Sequence, residues 1–256
     1  MDLEPVMDFT AELAYRAGRI TLGYFNVGIR PDYKADDTPV TAADRASENF
    51  IRGELEKKYP GIAILGEEYG ESGGQAQSMR WIVDPIDGTK SFLRGIPLYG
   101  VLIGLEIEGV IRVGAAYYPG TDEMLCAAEG LGAWWNGRRA HVSDVPALDK
   151  SWVCFTNNRN MLRHGRAEAW SRIEARAYAS RGWSDAYGYL AVATGRAEAM
   201  LDPIMATWDC GPFPVILKEA GGYFGSWDGR VGHLHHEALA TNAAILPEML
   251  NLINGE

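Results

Sequence analysis

Apolar residues recur every three or four positions along two stretches of the chain, at Val6, Phe9, Leu13, Ala17, Ile20 and Tyr24, then at Phe50, Ile51, Leu55 and Tyr59. That spacing collects them on one helical face, so amphipathic helices are predicted over residues 6–25 and from Thr41 to a stop at Pro60-Gly61. Residues 30–39 between them are polar and turn-rich. The pattern then changes to short unbroken apolar runs, Ile62-Ala63-Ile64-Leu65 and Trp81-Ile82-Val83, which read as buried strands. Pro85 cannot donate a ladder hydrogen bond and is expected to end the second, with a short helix opening at Thr89. Residues 71–79 are rich in Gly, Ser and Gln and read as an exposed, mobile loop. Strand patterns over 98–105, 110–118 and 123–128, separated by Glu-Gly and Pro-Gly turns, describe an antiparallel meander, followed by a tight turn at Trp135-Asn136-Gly137-Arg138.

From residue 152 onward, strand and helix patterns alternate. Strands are predicted over 152–156, 178–181, 197–201 and 238–241, and helices over 163–176, 185–195 and 208–220, the last tolerating Pro212 and Pro214 near its start. Such alternation implies an α/β layer. Composition turns polar over residues 143–150, which divides the chain into halves of 1–146 and 147–256. Neither repeats nor low-complexity segments are evident.

Composition narrows the function. With 256 residues and 47% hydrophobic content, the chain can bury a large core. No apolar run approaches the roughly 20 residues that span a bilayer, and the first residues lack the basic start of a signal peptide, so a cytoplasmic protein is expected. Cys126, Cys154 and Cys210 are widely spaced and read as reduced core thiols. A net charge of −10 argues against nucleic acid or an anionic membrane as partner. It would also repel a phosphate ester, unless bound cations invert the local field.

The candidate chemistry lies in Asp84-Pro85-Ile86-Asp87-Gly88-Thr89. Two carboxylates at a strand end stand beside a glycine turn and a helix start whose N–H groups suit an anion. Gly66-Glu67-Glu68 ends the neighbouring apolar run and brings a further carboxylate to the same edge. Hard oxygen donors of this kind suit magnesium.

Gly66-Glu67-Glu68, Asp84-Pro85-Ile86-Asp87-Gly88-Thr89, Trp208-Asp209 and Gly221-Gly222, in that order, resemble the inositol-monophosphatase-like phosphatases, a magnesium-dependent superfamily that includes the fructose-1,6-bisphosphatases. The resemblance implies a layered α/β (α+β) sandwich of alternating helix and sheet layers, a homodimer, and hydrolysis of a small-molecule phosphate ester by water without a covalent intermediate. It implies two or three Mg2+ ions: one held by Glu67, Asp84 and the Ile86 carbonyl, one shared by Asp84, Asp87 and Asp209, and a weaker one leaning on Glu67. Glu67 and Thr89 would orient the attacking water, Asp44 would partner Thr89, and the N–H groups of Gly88 and Thr89 would receive phosphate oxygens. Read from the residues alone, Asp44 and Asp209 are equally at home as first-turn or capping acids of helices, and Glu68 as a solvated turn acid.

Ester specificity rests on the second half. Asp202 precedes Asp209 by the superfamily's spacing for a substrate-binding acid, where inositol phosphatases usually carry Glu. Asp185 adds a second carboxylate, and two acids suit a cationic substrate. Ser184-Asp185-Ala186-Tyr187-Gly188-Tyr189, with 193–200 and Asp202-Pro203, resembles the histidinol-phosphate phosphatase branch, which acts in histidine biosynthesis; Arg196 matches a substrate-side position of that branch and could equally be a surface or helix-end cation. Asp185 could likewise be a helix cap. Inositol monophosphate is the alternative ester. Lys90 and Leu93-Arg94-Gly95 also resemble the phosphatases of 3′-phosphoadenosine nucleotides, although Ser91 stands where they carry Gly. Two rival classes remain: a metal-binding protein without turnover, and a transition-metal site at His233-Leu234-His235-His236-Glu237, where a solvated loop is the plainer reading.

Overall fold

The computed structural model describes residues 1–28, 30–33, 39–74, 78–183 and 185–255. Helix α1 (Glu4–Leu22) carries Pro5 in its first turn, where a missing N–H leaves no helical bond unmade. A two-residue ribbon, β1 (Asp32–Tyr33) with β2 (Pro39–Val40), leads to α2 (Ala42–Lys58). Strands β3 (Ala63–Gly66), β4 (Gly70–Ser72) and β5 (Met79–Asp87) precede the short α3 (Thr89–Leu93). The meander follows as β6 (Gly100–Ile107), β7 (Val110–Tyr118), β8 (Glu123–Ala128), β9 (Gly132–Trp135) and β10 (Arg138–Arg139). These form one eight-stranded sheet in the order β10-β9-β8-β7-β6-β5-β3-β4.

The second sheet is built after residue 150. Its elements are β11 (Trp152–Phe155), α4 (Asn158–Arg163), α5 (Ala167–Arg176), β12 (Ala179–Arg181), α6 (Asp185–Ala193), β13 (Ala199–Asp202), α7 (Thr207–Cys210), α8 (Phe213–Glu219), β14 (Gly222–Gly225), β15 (Ala238–Asn242) and α9 (Leu246–Asn254). The strand order is β12-β11-β13-β15-β14, with β11 parallel to both its neighbours and β15 antiparallel to both of its own.

Strand alternation sorts the core into layers. Trp81, Val83, Val101 and Ile103 pack with α1 and α2, while Ile82 and Leu102 point the other way into a core shared with α6, α8, Cys154 and Met200. Val153, Ala199 and Leu201 turn to a third core with α5 and α9. Each sheet is therefore covered on both faces, which is why its strands read as unbroken apolar runs. The expected alternation of helix and sheet layers is what the chain adopts. Cys126, Cys154 and Cys210 are free thiols, as expected.

Several local expectations are corrected. Pro85 does not end its strand: β5 continues to Asp87 through a bulge, with Asp84 opposite Leu102 and Asp87 opposite Gly100. One extra residue on β5 accommodates the missing N–H. The helix expected over 163–176 is two, α4 and α5, broken at Gly165, whose φ is +70°. That expected over 208–220 breaks between α7 and α8 at Gly211-Pro212. Strand β14 and helix α9 were not expected, and Glu71 and Ser72 of the anticipated loop belong to β4. Residues 34–38 and 75–77 of the two polar segments, and Ser184, lie outside the described residues.

The α7–α8 break seats the second half directly on the first sheet. Gly104 of β6 and Gly114 of β7 stand opposite each other across the ladder. A Cβ on Gly104 would meet the Gly211 carbonyl oxygen at 2.3 Å, and one on Gly114 the Pro212 oxygen at 2.6 Å. Backbone thus rests on backbone, two residues beyond Asp209. Gly104→Ala is expected to lower stability by about 1–3 kcal/mol through overpacking. Thermal unfolding checks this, and an unchanged midpoint would refute the flush contact.

Candidate active site

Two carboxylates of the β5 bulge and one from α7 converge on one point. Asp84 Oδ1 accepts the Ile86 N–H at 3.0 Å, closing the bulge, and Asp87 at its far end accepts the Ala186 N–H at 2.8 Å from the start of α6. Asp209 accepts the Ala206 N–H at 2.8 Å and so caps α7. Each carboxylate keeps an oxygen for the common point, and the ligand atoms of Asp84, Asp87 and Asp209 lie within 4.8 Å of one another.

Asp44 and Thr89 stand beside this trio. Asp44 Oδ2 accepts from the Thr41 N–H at 2.8 Å and the Thr41 hydroxyl at 2.6 Å, a capping box on α2. Its Oδ1 lies 3.5 Å from the Thr89 hydroxyl, which is also 3.1 Å from the Ile86 carbonyl oxygen. The helix-end and site readings of Asp44 and Asp209 therefore describe the same atoms. Gly88 has φ +86°, and a Cβ there would come within 3.1 Å of Asp185 Oδ2, so only glycine suits both the turn and the approach.

Two adjoining cavities open here. The smaller, about 190 Å3, is lined by Glu67, Asp84, Ile86, Gly88 and Thr89, and the larger, about 340 Å3, by Thr156, Asn157, Tyr189, Asp202 and Met205. Asp87, Asp185, Asp209 and Lys90 face both. Asp202 is fixed at the end of β13 by the hydroxyls of Thr156 and Tyr189, the latter at 2.9 Å.

Arg196 is not brought to this pocket. It pairs with Glu123 at 2.9 Å, lies over the Trp135 ring, and lines a separate depression with Trp183 and Tyr187. The histidine run is not one solvated loop either. His233 is buried and its Nε2 lies 2.7 Å from Glu106, whereas His236 is exposed. Among the described residues the group able to hold a metal is the Asp trio, and no histidine belongs to it. Sequence reasoning assigned no role to Thr156 or Tyr189. No motif ties Thr156 to an aspartate 46 residues away, although Tyr189 sits inside the stretch 184–189. Lys90, inside the Asp-Gly-Thr-Lys-Ser run, was similarly given no place in the site.

Burial dominates the electrostatics. It pushes Asp84 and Asp87 well above the usual carboxylate range, and repulsion adds to it, from Glu67, Asp87 and Asp209 on the first and from Asp185 and Asp209 on the second. Burial likewise raises Asp209 to about 7 against the pull of the Ala206 N–H, and Asp202 to about 7 against its two hydroxyl donors. Asp44 is raised too, chiefly by burial and despite its bonds to Thr41. Converging hard oxygens whose nearest charges are other carboxylates fit a divalent cation.

The sequence model of the inositol monophosphatase family matches residues 2–254. The chain is 39% identical to a histidinol-phosphatase of Chlorobaculum parvum over 99% of both chains. It is 37% identical to a histidinol-phosphatase of Mycobacterium tuberculosis, over 94% of this chain and 95% of that one. The solved structure of extragenic suppressor protein suhB from Bartonella henselae superposes with a TM-score of 0.90 at 29% identity, covering 98% of each. With its layered fold and its acidic cluster at the bulge, the chain belongs to the inositol monophosphatase family. It is a phosphoric monoester hydrolase.

Without a cation, the raised carboxyls set a pH dependence. A carboxyl whose folded-state pKa lies above its unfolded value contributes stability that is present at low pH and lost as pH rises through the folded pKa. The chelated protein is therefore expected to lose stability between about pH 4 and 7, the window set by Asp202 and Asp209. Added Mg2+ should raise the melting temperature more at pH 8 than at pH 5. Equal shifts at both would contradict cation binding to the ionised cluster.

Proposed function

We propose that the chain is a magnesium-dependent phosphatase that hydrolyses L-histidinol phosphate to L-histidinol and phosphate, in histidine biosynthesis. The observation that carries this reading is the wall that the two cavities share, in which Asp87 and Asp209 of the acidic trio also border the larger space bearing the Asp185 and Asp202 carboxylates. The names of the two histidinol-phosphatase relatives point the same way.

In this reading Glu67, Asp84, Asp87, Asp209 and the Ile86 carbonyl hold two or three Mg2+ ions. Magnesium, when bound, neutralises phosphate charge and makes a water acidic enough to attack. The chain's own groups do the positioning. The N–H groups of Gly88 and Thr89 receive phosphate oxygens, and Lys90 adds a cation at the rim. Glu67 and the Thr89 hydroxyl orient the water in line with the leaving oxygen, and Asp44 takes the hydrogen bond or proton that Thr89 passes on. The alcohol occupies the larger cavity, where its ammonium or imidazolium faces Asp185 and Asp202. Thr156 and Tyr189 keep Asp202 turned into that space. Arg196, which lies outside both cavities, has no part in this proposal. The division into 1–146 and 147–256 then assigns water activation to the first half and alcohol recognition, with Asp209, to the second.

Inositol 1-phosphate is the second reading, carried by the name of the matching family. Phosphate release from L-histidinol phosphate, inositol 1-phosphate and 3′-phosphoadenosine 5′-phosphate, each with Mg2+ and with chelator, separates them. Histidinol phosphate is expected to be preferred and chelator to abolish release. Asp84→Asn should lose at least about 100-fold in turnover on every ester, while Asp202→Asn should lose more on histidinol phosphate than on inositol phosphate. Equal losses from Asp202→Asn would defeat cation recognition.

We also propose a homodimer in the cytoplasm, on the family resemblance. Sedimentation should give twice the 28.1 kDa chain mass, and cell fractionation should recover the activity with the cytoplasm. A monomer in sedimentation would end the dimer proposal.

A further inference from the structure

The turn that carries Glu67 is gripped from beneath by two buried charges on α2. Glu48 is 0% exposed and Arg52 8%, and Arg52 Nε donates to Glu48 Oε1 at 2.8 Å. Removing two charges from water is costly, so their remaining bonding capacity must be used. It is used on one target. Glu48 Oε2 accepts the Glu68 N–H at 2.8 Å, and Oε1 accepts the Tyr69 N–H at 3.3 Å. The Arg52 guanidinium donates to the Gly70 carbonyl, to the Ser72 hydroxyl at 2.6 Å and to the Ile64 carbonyl at 3.4 Å. All five acceptors and donors lie in the β3–β4 hairpin, on both strands and in the turn between them.

Gly66 supplies an independent observation. A Cβ at this position would stand 2.1 Å from Glu48 Oε1 and 2.8 Å from an Arg52 nitrogen. The glycine of Gly66-Glu67-Glu68 therefore leaves room for the Glu48 carboxylate to reach the turn. On the other side, the Glu67 N–H donates to the Val83 carbonyl at 3.2 Å, tying the same residue to β5 immediately before Asp84. Glu67 is thus held to β5 by its own N–H, and the two residues after it are held by the Glu48 carboxylate.

We propose that Glu48 and Arg52 are positioning residues that set the Glu67 carboxylate for divalent-cation binding. The proposal rests on the reading of Glu67 as a metal ligand. Glu48→Gln keeps the shape of the side chain but removes the charge, and its amide nitrogen would face N–H donors. One of the two N–H groups that Glu48 holds would then lose its acceptor, and Glu67 would hold its orientation only part of the time. A loss of about 10–100-fold in cation affinity is the size expected when a ligand's supporting partner is removed.

The test is Mn2+ binding to the chelated full-length protein, followed by electron paramagnetic resonance, for wild type, Glu48→Gln, Arg52→Lys, Glu67→Gln, the double variant Glu48→Gln/Glu67→Gln, and Glu54→Gln. Glu54 lies on the same helix but bonds Arg16 and Lys57 instead of the hairpin. Glu48→Gln and Glu67→Gln should both weaken binding, and the double variant should be no weaker than Glu67→Gln alone, since a support has nothing to add once its ligand is gone. Glu54→Gln should bind as wild type. Arg52→Lys retains charge but loses the planar fork, and should weaken binding even if Glu48→Gln does not fold. Full additivity in the double variant, or wild-type affinity in both Glu48→Gln and Arg52→Lys with weakened Glu67→Gln, would overturn positioning while leaving the metal reading intact. Wild-type affinity in Glu67→Gln would overturn both.

Discussion

Like charges crowded out of water are the constraint to which the rest of this structure answers. Asp84, Asp87 and Asp209 converge within 4.8 Å under burial that opposes their ionisation. Left to relax, such groups would turn away from one another or take up protons. Backbone donors keep them from turning away: the Ile86, Ala186 and Ala206 N–H groups each hold one carboxylate by one oxygen. The fold supplies those donors from a strand bulge and two helix starts. Preorganisation of the cluster is therefore a property of the main chain, and its converging oxygens fit a divalent cation.

Much of this was legible in the chain before its structure. The three-and-four spacing of Val6, Leu13 and Ala17 describes the buried face of α1, and the strand limits of β7 and β8 coincide with the apolar runs. These are local signals, and burial on both faces strengthens them. The errors occur where tertiary contact overrules local chemistry. Pro85 is a strand breaker in isolation, yet a bulge removes the need for its N–H. Gly211-Pro212 reads as a tolerated helix start, yet its seat on Gly104 and Gly114 divides the helix in two. Thr156 could not be assigned to Asp202 from the sequence, because only the parallel pairing of β11 with β13 brings them together.

The site also shows how one carboxylate can cap a helix and face the acidic cluster at once. Asp44 closes a capping box with Thr41 through Oδ2 and faces Thr89 with Oδ1. Asp209 caps α7 through Oδ2 and belongs to the converging trio. A carboxylate on a helix start can cap with one oxygen and reach a neighbour with the other, so the local reading and the site reading are compatible. Glu48 extends the same economy one layer deeper, where a carboxylate with no access to solvent sets the turn bearing Glu67.

The seat of the α7–α8 junction on Gly104 and Gly114 has a dynamic consequence. Peptide groups in van der Waals contact, with no side chain between them, leave neither half a slack layer on which to slide or swing. Asp209 is carried two residues from that seat, so a hinge between the halves would pull the acidic cluster apart. The contact of Gly104 and Gly114 with Gly211 and Pro212 therefore fixes the start of α8, and Asp209 just before it, against the sheet whose β5 carries Asp84 and Asp87.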